Sequence, residues 1–228
     1  MRISEIFTSV QGEGMLAGVP SVFVRTSGCN LRCVWCDTPY TSWNPEGGEM
    51  SADDIVTEVR RQPQVRHVVV TGGEPMIAPE IVALTESLAA AGLHITIETA
   101  GTVYAPVACR LMSISPKLAN STPHTRDGGR WAARHERLRY QPEVLRRLMT
   151  EYDYQLKFVV ASPDDLSEIH AILRELDADT AHVCLMPEGV SPEALRERGR
   201  WLWDLCVREG FRYSPRLHVD LFGDRRGV

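Results

Sequence analysis

Residues 65–71, Val-Arg-His-Val-Val-Val-Thr, restrict the fold more than any other segment. The run His67-Val68-Val69-Val70 is short, β-branched and nearly continuous in apolar character. That pattern predicts a strand covered on both faces, as in a parallel sheet. Parallel strands need long crossovers, and the flanking sequence supplies them. Ser51 can cap a helix, with Asp54 as a weaker form of the capping-box acid, and this helix runs to about Gln62. Beyond the strand, Pro79 to Ala91 predicts a helix stopped at Gly92, and His94 to Glu98 predicts the next strand.

The alternation continues. Leu111–Ser115 reads as a short strand, Pro142–Thr150 as a helix and Tyr154–Val160 as a strand. Ser162-Pro163 opens a helix to about Leu176, with proline at the first position. His182–Met186 reads as a strand, and Ser191-Pro192 opens a helix ending near Gly210. Upstream, strands are predicted at Ile3–Val10 and Ser21–Thr26, joined through the turn Gln11-Gly12-Glu13-Gly14. Repeated strand–helix units predict an α/β fold with mainly parallel strands in a single domain, residues 1–228. Right-handed crossovers allow helices on one side of a curling sheet or on both sides of an open one, and periodicity does not choose between them. Residues Ala119–Gln141 are polar and Arg-rich, carry Asp127-Gly128-Gly129, and predict a long loop or insertion.

A chain of 228 residues buries a core without disulfides or a structural metal, so clustered cysteines point to chemistry. Three of the six cysteines, Cys29, Cys33 and Cys36, fall within eight residues. Cys109, Cys184 and Cys206 sit alone in apolar surroundings and read as small buried hydrophobes. A net charge of −5 argues against a nucleic-acid partner held by a general basic field; Arg137–Arg139 and Arg146–Arg147 read as solvated helix faces. The first residues carry no apolar leader, and no run approaches the roughly 20 residues that span a bilayer. A cytoplasmic protein with no membrane partner and reduced thiols is therefore expected.

The spacing Cys29-x3-Cys33-x2-Cys36 lets three thiolates converge on one metal centre. A four-iron cluster held at three corners keeps one iron open. Zinc with a distant fourth ligand, or a redox pair with a spare thiol, fits the same spacing. With Trp35 before the last cysteine, the stretch resembles the signature of the radical S-adenosylmethionine superfamily. Thr71-Gly72-Gly73-Glu74-Pro75, at the end of a parallel strand, resembles that superfamily's GGEP motif. The resemblance implies that a 4Fe-4S cluster binds S-adenosylmethionine and breaks its carbon–sulfur bond to give a deoxyadenosyl radical. It also implies that Gly73 and Glu74 hold the methionine amino group.

Further stretches, in order, are similar to the 7-carboxy-7-deazaguanine synthase family: Phe7–Gly14, Phe23–Arg25, Cys36-Asp37-Thr38, Ser115-Pro116-Lys117, Tyr154–Phe158, Leu217–Gly223 and Arg225–Val228. The resemblance implies a modified, incomplete (β/α) barrel and a lyase of queuosine precursor synthesis that converts 6-carboxy-5,6,7,8-tetrahydropterin to 7-carboxy-7-deazaguanine with loss of ammonia. It implies Mg²⁺ on the Thr38 hydroxyl. Val10, Gln11, Gly12, Glu13, Arg25, Thr71, His218 and the Val228 carboxylate are expected around the pterin. Trp35, Cys36, Asp37, Gly73, Glu74, Ser115, Pro116, Lys117 and Gln155 are expected around S-adenosylmethionine. No side chain is expected as acid or base. An external, flavodoxin-like electron donor and a homodimer are implied as well. The rivals are an activating enzyme of the same superfamily that acts on a partner protein, and a zinc-binding module. Plainer roles also exist: Arg25 paired with a structural acid, Thr38 capping a turn, Gln155 on a half-buried strand face, His218 as a structural histidine.

Overall fold

The computed structural model describes residues 1–228. Strands β1 (Arg2–Val10) and β2 (Pro20–Thr26) pair antiparallel, from Ile3↔Thr26 to Val10↔Pro20. The connection that follows carries α1 (Pro39–Ser42), the short strand β3 (Gly48–Glu49) and α2 (Ala52–Val59). Parallel strands then alternate with helices: β4 (His67–Gly72), α3 (Ile81–Ala90), β5 (His94–Thr99) and β6 (Leu111–Ile114). Next come α4 (Ala132–Arg139), α5 (Pro142–Glu151), β7 (Tyr154–Val160) and α6 (Asp165–Leu176). The last elements are β8 (Val183–Pro187), α7 (Pro192–Glu209), β9 (Arg212–Tyr213) and α8 (Leu217–Phe222).

The nine strands form one sheet in the order β3-β1-β2-β4-β5-β6-β7-β8-β9. From β4 onward spatial order follows chain order, so every right-handed crossover advances the same way and the helices share one face. Edge strands β3 and β9 do not pair with each other. The result is the open, incomplete barrel expected, with the curling-sheet alternative selected.

Alternation along the strands sorts the two faces. Val22 and Val24, Val68 and Val70, Ile95 and Ile97, Met112 and Ile114, Leu156 and Phe158 all lie in the core beneath the helices. They meet Ile55, Leu84, Leu88, Leu145, Leu148 and Ile169. Each such side chain contributes roughly 1.5–3 kcal/mol on burial, so this face stabilises the fold and leaves the opposite one available for polar groups. Registers Arg25↔Thr71, Glu98↔Ser113 and Ser113↔Gln155 align that polar face across neighbouring strands.

Local signals mostly act as anticipated. Ser51 and Asp54 form a reciprocal capping box, and Ser191 Oγ accepts from Ala194 N–H. Gly92 and Gly210 take φ of +73° and +76° just past their helices. Two expectations are corrected. Helix α6 begins at Asp165 rather than at Pro163, because Asp165 Oδ2 draws the Ala161 and Ser162 amides into a turn at 2.7 and 3.1 Å. Residues 119–141 are not simply a loop: they hold α4 and lie against the cysteine segment, as described next.

Candidate active site

The segment after β2 crosses the carboxyl ends of the parallel strands. Gly28 N–H donates to Thr41 O at 2.8 Å, and Glu74 N–H donates to Gly28 O at 2.9 Å. A Cβ on Gly73 would stand 2.1 Å from Gly28 O, so the glycine is what permits this approach. Cys29, Cys33 and Cys36 thereby face one cleft together with Gly72 and Gly73. Burial pushes the Cys29 thiol up to about 12 and raises Cys33 as well. Such thiols stay protonated unless a cationic centre takes them as thiolates. No set of three or more His, Cys, Asp or Glu side chains converges on a single-ion position. Three thiols on one cleft wall with no fourth donor fit a four-iron cluster with an open corner better than a structural zinc.

Residues 119–139 brace this loop from behind. Arg32 N–H donates to His135 Nδ1 at 3.1 Å, and His135 Nε2 donates to Ser121 Oγ at 2.9 Å. His135 is 1 % exposed, and its burial drives its pKa down to about 4. Val34 N–H donates to Ser121 O at 2.8 Å, Arg126 donates to Val34 O at 2.8 Å, and Trp35 Nε1–H donates to Asn120 O at 3.1 Å. A polar segment with few apolar residues carries no periodicity, so this role had no signal beyond the arginines.

In the same cleft, Gln11 Nε2 donates to Glu98 Oε1 at 3.0 Å and Thr71 Oγ1 donates to Glu98 Oε2 at 2.7 Å. Gln11 Oε1 accepts from Glu13 N–H at 3.1 Å. Glu13 pairs with Lys157, with Arg216 at 3.0 Å, and more distantly with His218 at 3.8 Å. Burial alone would raise the Glu13 pKa; Lys157, then Arg216 and His218, overcome it and hold the carboxyl far below the usual range. Arg216 also donates to Asp37 and to Gly189 O, so one buried side chain joins three separate segments.

The carboxyl end closes over the cleft. Leu217 N–H donates to Gly12 O at 3.0 Å, and a Cβ on Gly12 would meet His218 Nδ1 at 2.3 Å. Arg226 lies 3.6 Å over the Tyr40 ring and pairs with Glu46 at 3.1 Å. His218 and Val228 both line the cleft, as do Val10, Gln11, Gly12, Glu13, Arg25, Thr71 and Thr38.

Residues 23–116 match the model of the Radical SAM superfamily. The chain is 48 % identical to the 7-carboxy-7-deazaguanine synthase of Halobacterium salinarum, over 98 % of this chain and 91 % of that relative. It is 47 % identical to the synthase of Rhodopirellula baltica, over 100 % of this chain and 89 % of that one. The chain belongs to the 7-carboxy-7-deazaguanine synthase family. The crystal structure of QueE from Escherichia coli superposes with a TM-score of 0.69 at 27 % identity, covering 93 % of this chain and 92 % of that one. Membership makes the protein a radical S-adenosylmethionine lyase with a 4Fe-4S cluster. No helix is long and apolar enough to cross a membrane.

Within the family's motifs, three expected residues, Glu74, Pro116 and Gln155, are absent from the cleft wall. Glu74 is 1 % exposed and does not line the cleft. Its carboxylate accepts from Thr99 Oγ1 at 2.7 Å, Ala100 N–H at 2.8 Å and Met76 N–H at 3.1 Å, tying the ends of β4 and β5 together. The groups it leaves facing the cleft are the backbones of Gly72 and Gly73. Gln155 is 3 % exposed and is also absent from the wall. Its Oε1 accepts from Met15 N–H at 2.7 Å and its Nε2 donates to Ser113 Oγ at 2.7 Å, anchoring the Gln11–Gly14 turn on the sheet.

Other expectations fall on the wall. Ser115 and Lys117 line it, bonded to each other at 2.7 Å, with Pro116 buried between them; Trp35, Cys36 and Asp37 line it too. Arg25 does pair with an acid, Glu5, through Nε at 2.7 Å, while its terminal nitrogens make no such bond. Thr38 precedes α1, yet its hydroxyl makes no cap bond. The reading by motif missed Glu98, Lys157 and Arg216. The first two are charged residues inside otherwise apolar strands, a signal that alternation carries; Arg216 had none.

Proposed function

We propose that this chain converts 6-carboxy-5,6,7,8-tetrahydropterin to 7-carboxy-7-deazaguanine with loss of ammonia, as a step toward the queuosine precursor. The observation that supports this most directly is a shared cleft: Gln11, Glu98 and Thr71, joined by hydrogen bonds, line it together with Cys29, Cys33 and Cys36. When bound, the cluster and S-adenosylmethionine supply the radical that starts the rearrangement. This chain's own groups seat and enclose the pterin. Gln11, Glu13 and Thr71 hydrogen-bond its amide-like edge. Arg25 offers a guanidinium fork to the substrate carboxylate. Thr38 would offer a hard hydroxyl oxygen, the donor type that Mg²⁺ prefers. His218 and the Val228 carboxylate close the open side and exclude water. On the other side, Gly73, Ser115, Lys117, Trp35, Cys36 and Asp37 orient S-adenosylmethionine. The protein acts in the cytoplasm as a homodimer and takes its electron from a flavodoxin-like donor.

The test is anaerobic reconstitution, iron and sulfide analysis, and incubation with S-adenosylmethionine, Mg²⁺ and the pterin. The expected result is about four irons per chain and formation of the deazaguanine. Cys33→Ala should lose the brown absorbance and all cleavage of S-adenosylmethionine. Cleavage without turnover of the pterin overturns the substrate assignment.

A further inference from the structure

The cluster-bearing loop has an outer face as well as an inner one. Arg32, between Cys29 and Cys33, donates to Cys29 O at 2.8 Å and Leu31 O at 2.7 Å. Its guanidinium carbon lies 4.9 Å from the centre of the Trp131 ring. Arg130 and Arg134 approach the same ring at 5.4 and 5.7 Å. Arg126 stacks on Trp43 at 4.1 Å and holds Val34 O. Most arginines on the other helices are neutralised by neighbours, such as Arg146 by Glu143, Arg147 by Glu151 and Arg196 by Glu193. Here Arg130 has Asp127 at 2.5 Å, and Glu136 is taken by Thr122 and Arg139. Arg32, Arg126 and Arg134 have no carboxylate partner.

A concentration of positive charge on a chain of net charge −5 is a local feature with a direction. Arginine around a half-buried tryptophan is also the composition of a protein-binding hot spot. We infer that the Trp131–arginine surface over the cysteine loop docks an acidic one-electron carrier protein, of the flavodoxin type, that reduces the cluster. This rests on the radical reading above and gives its electron donor a place. In the step, the anionic hydroquinone of the carrier's flavin becomes the neutral semiquinone. No proton moves, and one electron passes into the site framed by Cys29, Cys33 and Cys36. Opposite charge speeds the encounter, and the loop itself forms part of the contact, which shortens the path.

The experiment compares anaerobically reconstituted wild type with Arg130→Glu/Arg134→Glu. Both residues are exposed, and neither bonds to the cysteine loop. Arg196→Glu/Arg200→Glu, on α7, applies the same change in net charge elsewhere. Bleaching of the cluster is followed by stopped flow, with a reduced flavodoxin or with dithionite, across a range of salt. Expected is a fall of about tenfold in the second-order rate with flavodoxin at low salt, with loss of salt dependence, for Arg130→Glu/Arg134→Glu only. Dithionite should bleach all three proteins at rates within about twofold, because a small reductant needs no docking surface. Equal flavodoxin rates for wild type and Arg130→Glu/Arg134→Glu overturn the inference. So does an equal loss in the α7 variant. Absence of bleaching by either reductant instead overturns the cluster reading on which it rests.

Discussion

His135 Nδ1 accepts the backbone N–H of Arg32 at 3.1 Å, across 103 residues of sequence. The bond fixes the middle of the cysteine loop against α4, and it requires the imidazole to stay neutral. An arginine-rich stretch with little apolar content thus becomes the back support of the metal-binding segment.

That neutrality has a pH signature. The His135 pKa lies at about 4 in the fold against an ordinary 6.5, with burial as the first cause. Between those values the unfolded chain binds the proton and the folded chain does not. The stabilisation is therefore complete above pH 6.5 and declines as pH falls toward 4. His135→Leu should lower the stability at pH 7.5 by about 1–3 kcal/mol, because Arg32 N–H and Ser121 lose a buried partner. It should also flatten the decline in melting temperature between pH 6.5 and 4.5. An unchanged slope would remove His135 from this role.

Glu13 sits between Lys157 and Arg216, both nearly inaccessible. Glu13→Gln leaves two buried cations short of a counter-charge and should cost about 3–5 kcal/mol. Lys157→Met removes one of those cations. The double variant should therefore be more stable than the sum of the two single effects predicts. Urea titration of the four proteins measures the coupling, and simple additivity would show that the groups do not interact.

Gly73→Ala sets a methyl group 2.1 Å from Gly28 O, where only backbone can yield. The helices lie on the far face of the sheet, so their circular dichroism should persist. The cysteine loop should shift, and the reconstituted protein should lose most of its iron. Full iron content in this variant would mean that the loop tolerates displacement.

Gln155 distinguishes a ligand from a brace. Its side chain holds Met15 N–H at 2.7 Å rather than facing the cleft. Gln155→Leu should therefore loosen the Gln11–Glu13 turn and raise the KM for the pterin by about tenfold, the kinetic equivalent of about 1.4 kcal/mol. The KM for S-adenosylmethionine should stay within about twofold. The opposite split would restore a nucleoside-binding role.

Sequence alone determined those features that depend on neighbours along the chain. The continuous apolar strand at residues 67–70, the Ser51 and Ser191 caps and the glycines past α3 and α7 are local, and each is where the pattern placed it. The cysteine spacing and the Gly72-Gly73 turn are local as well, and it was their resemblance to a superfamily signature that pointed to the chemistry. Tertiary structure decided which side chains those motifs actually use. Glu74 and Gln155 carry motif positions, yet their oxygens and nitrogens are spent on Thr99, Ala100 and Met15, contacts that no spacing specifies. Glu98 and Lys157 reach the cleft because sheet register places them beside Thr71 and opposite Glu13. Arg216 and His135 act on partners more than 100 residues away. Long-range polar contacts of this kind follow from how the crossovers stack, and pairing energies of a few kcal/mol become specific only once the fold has brought the groups together.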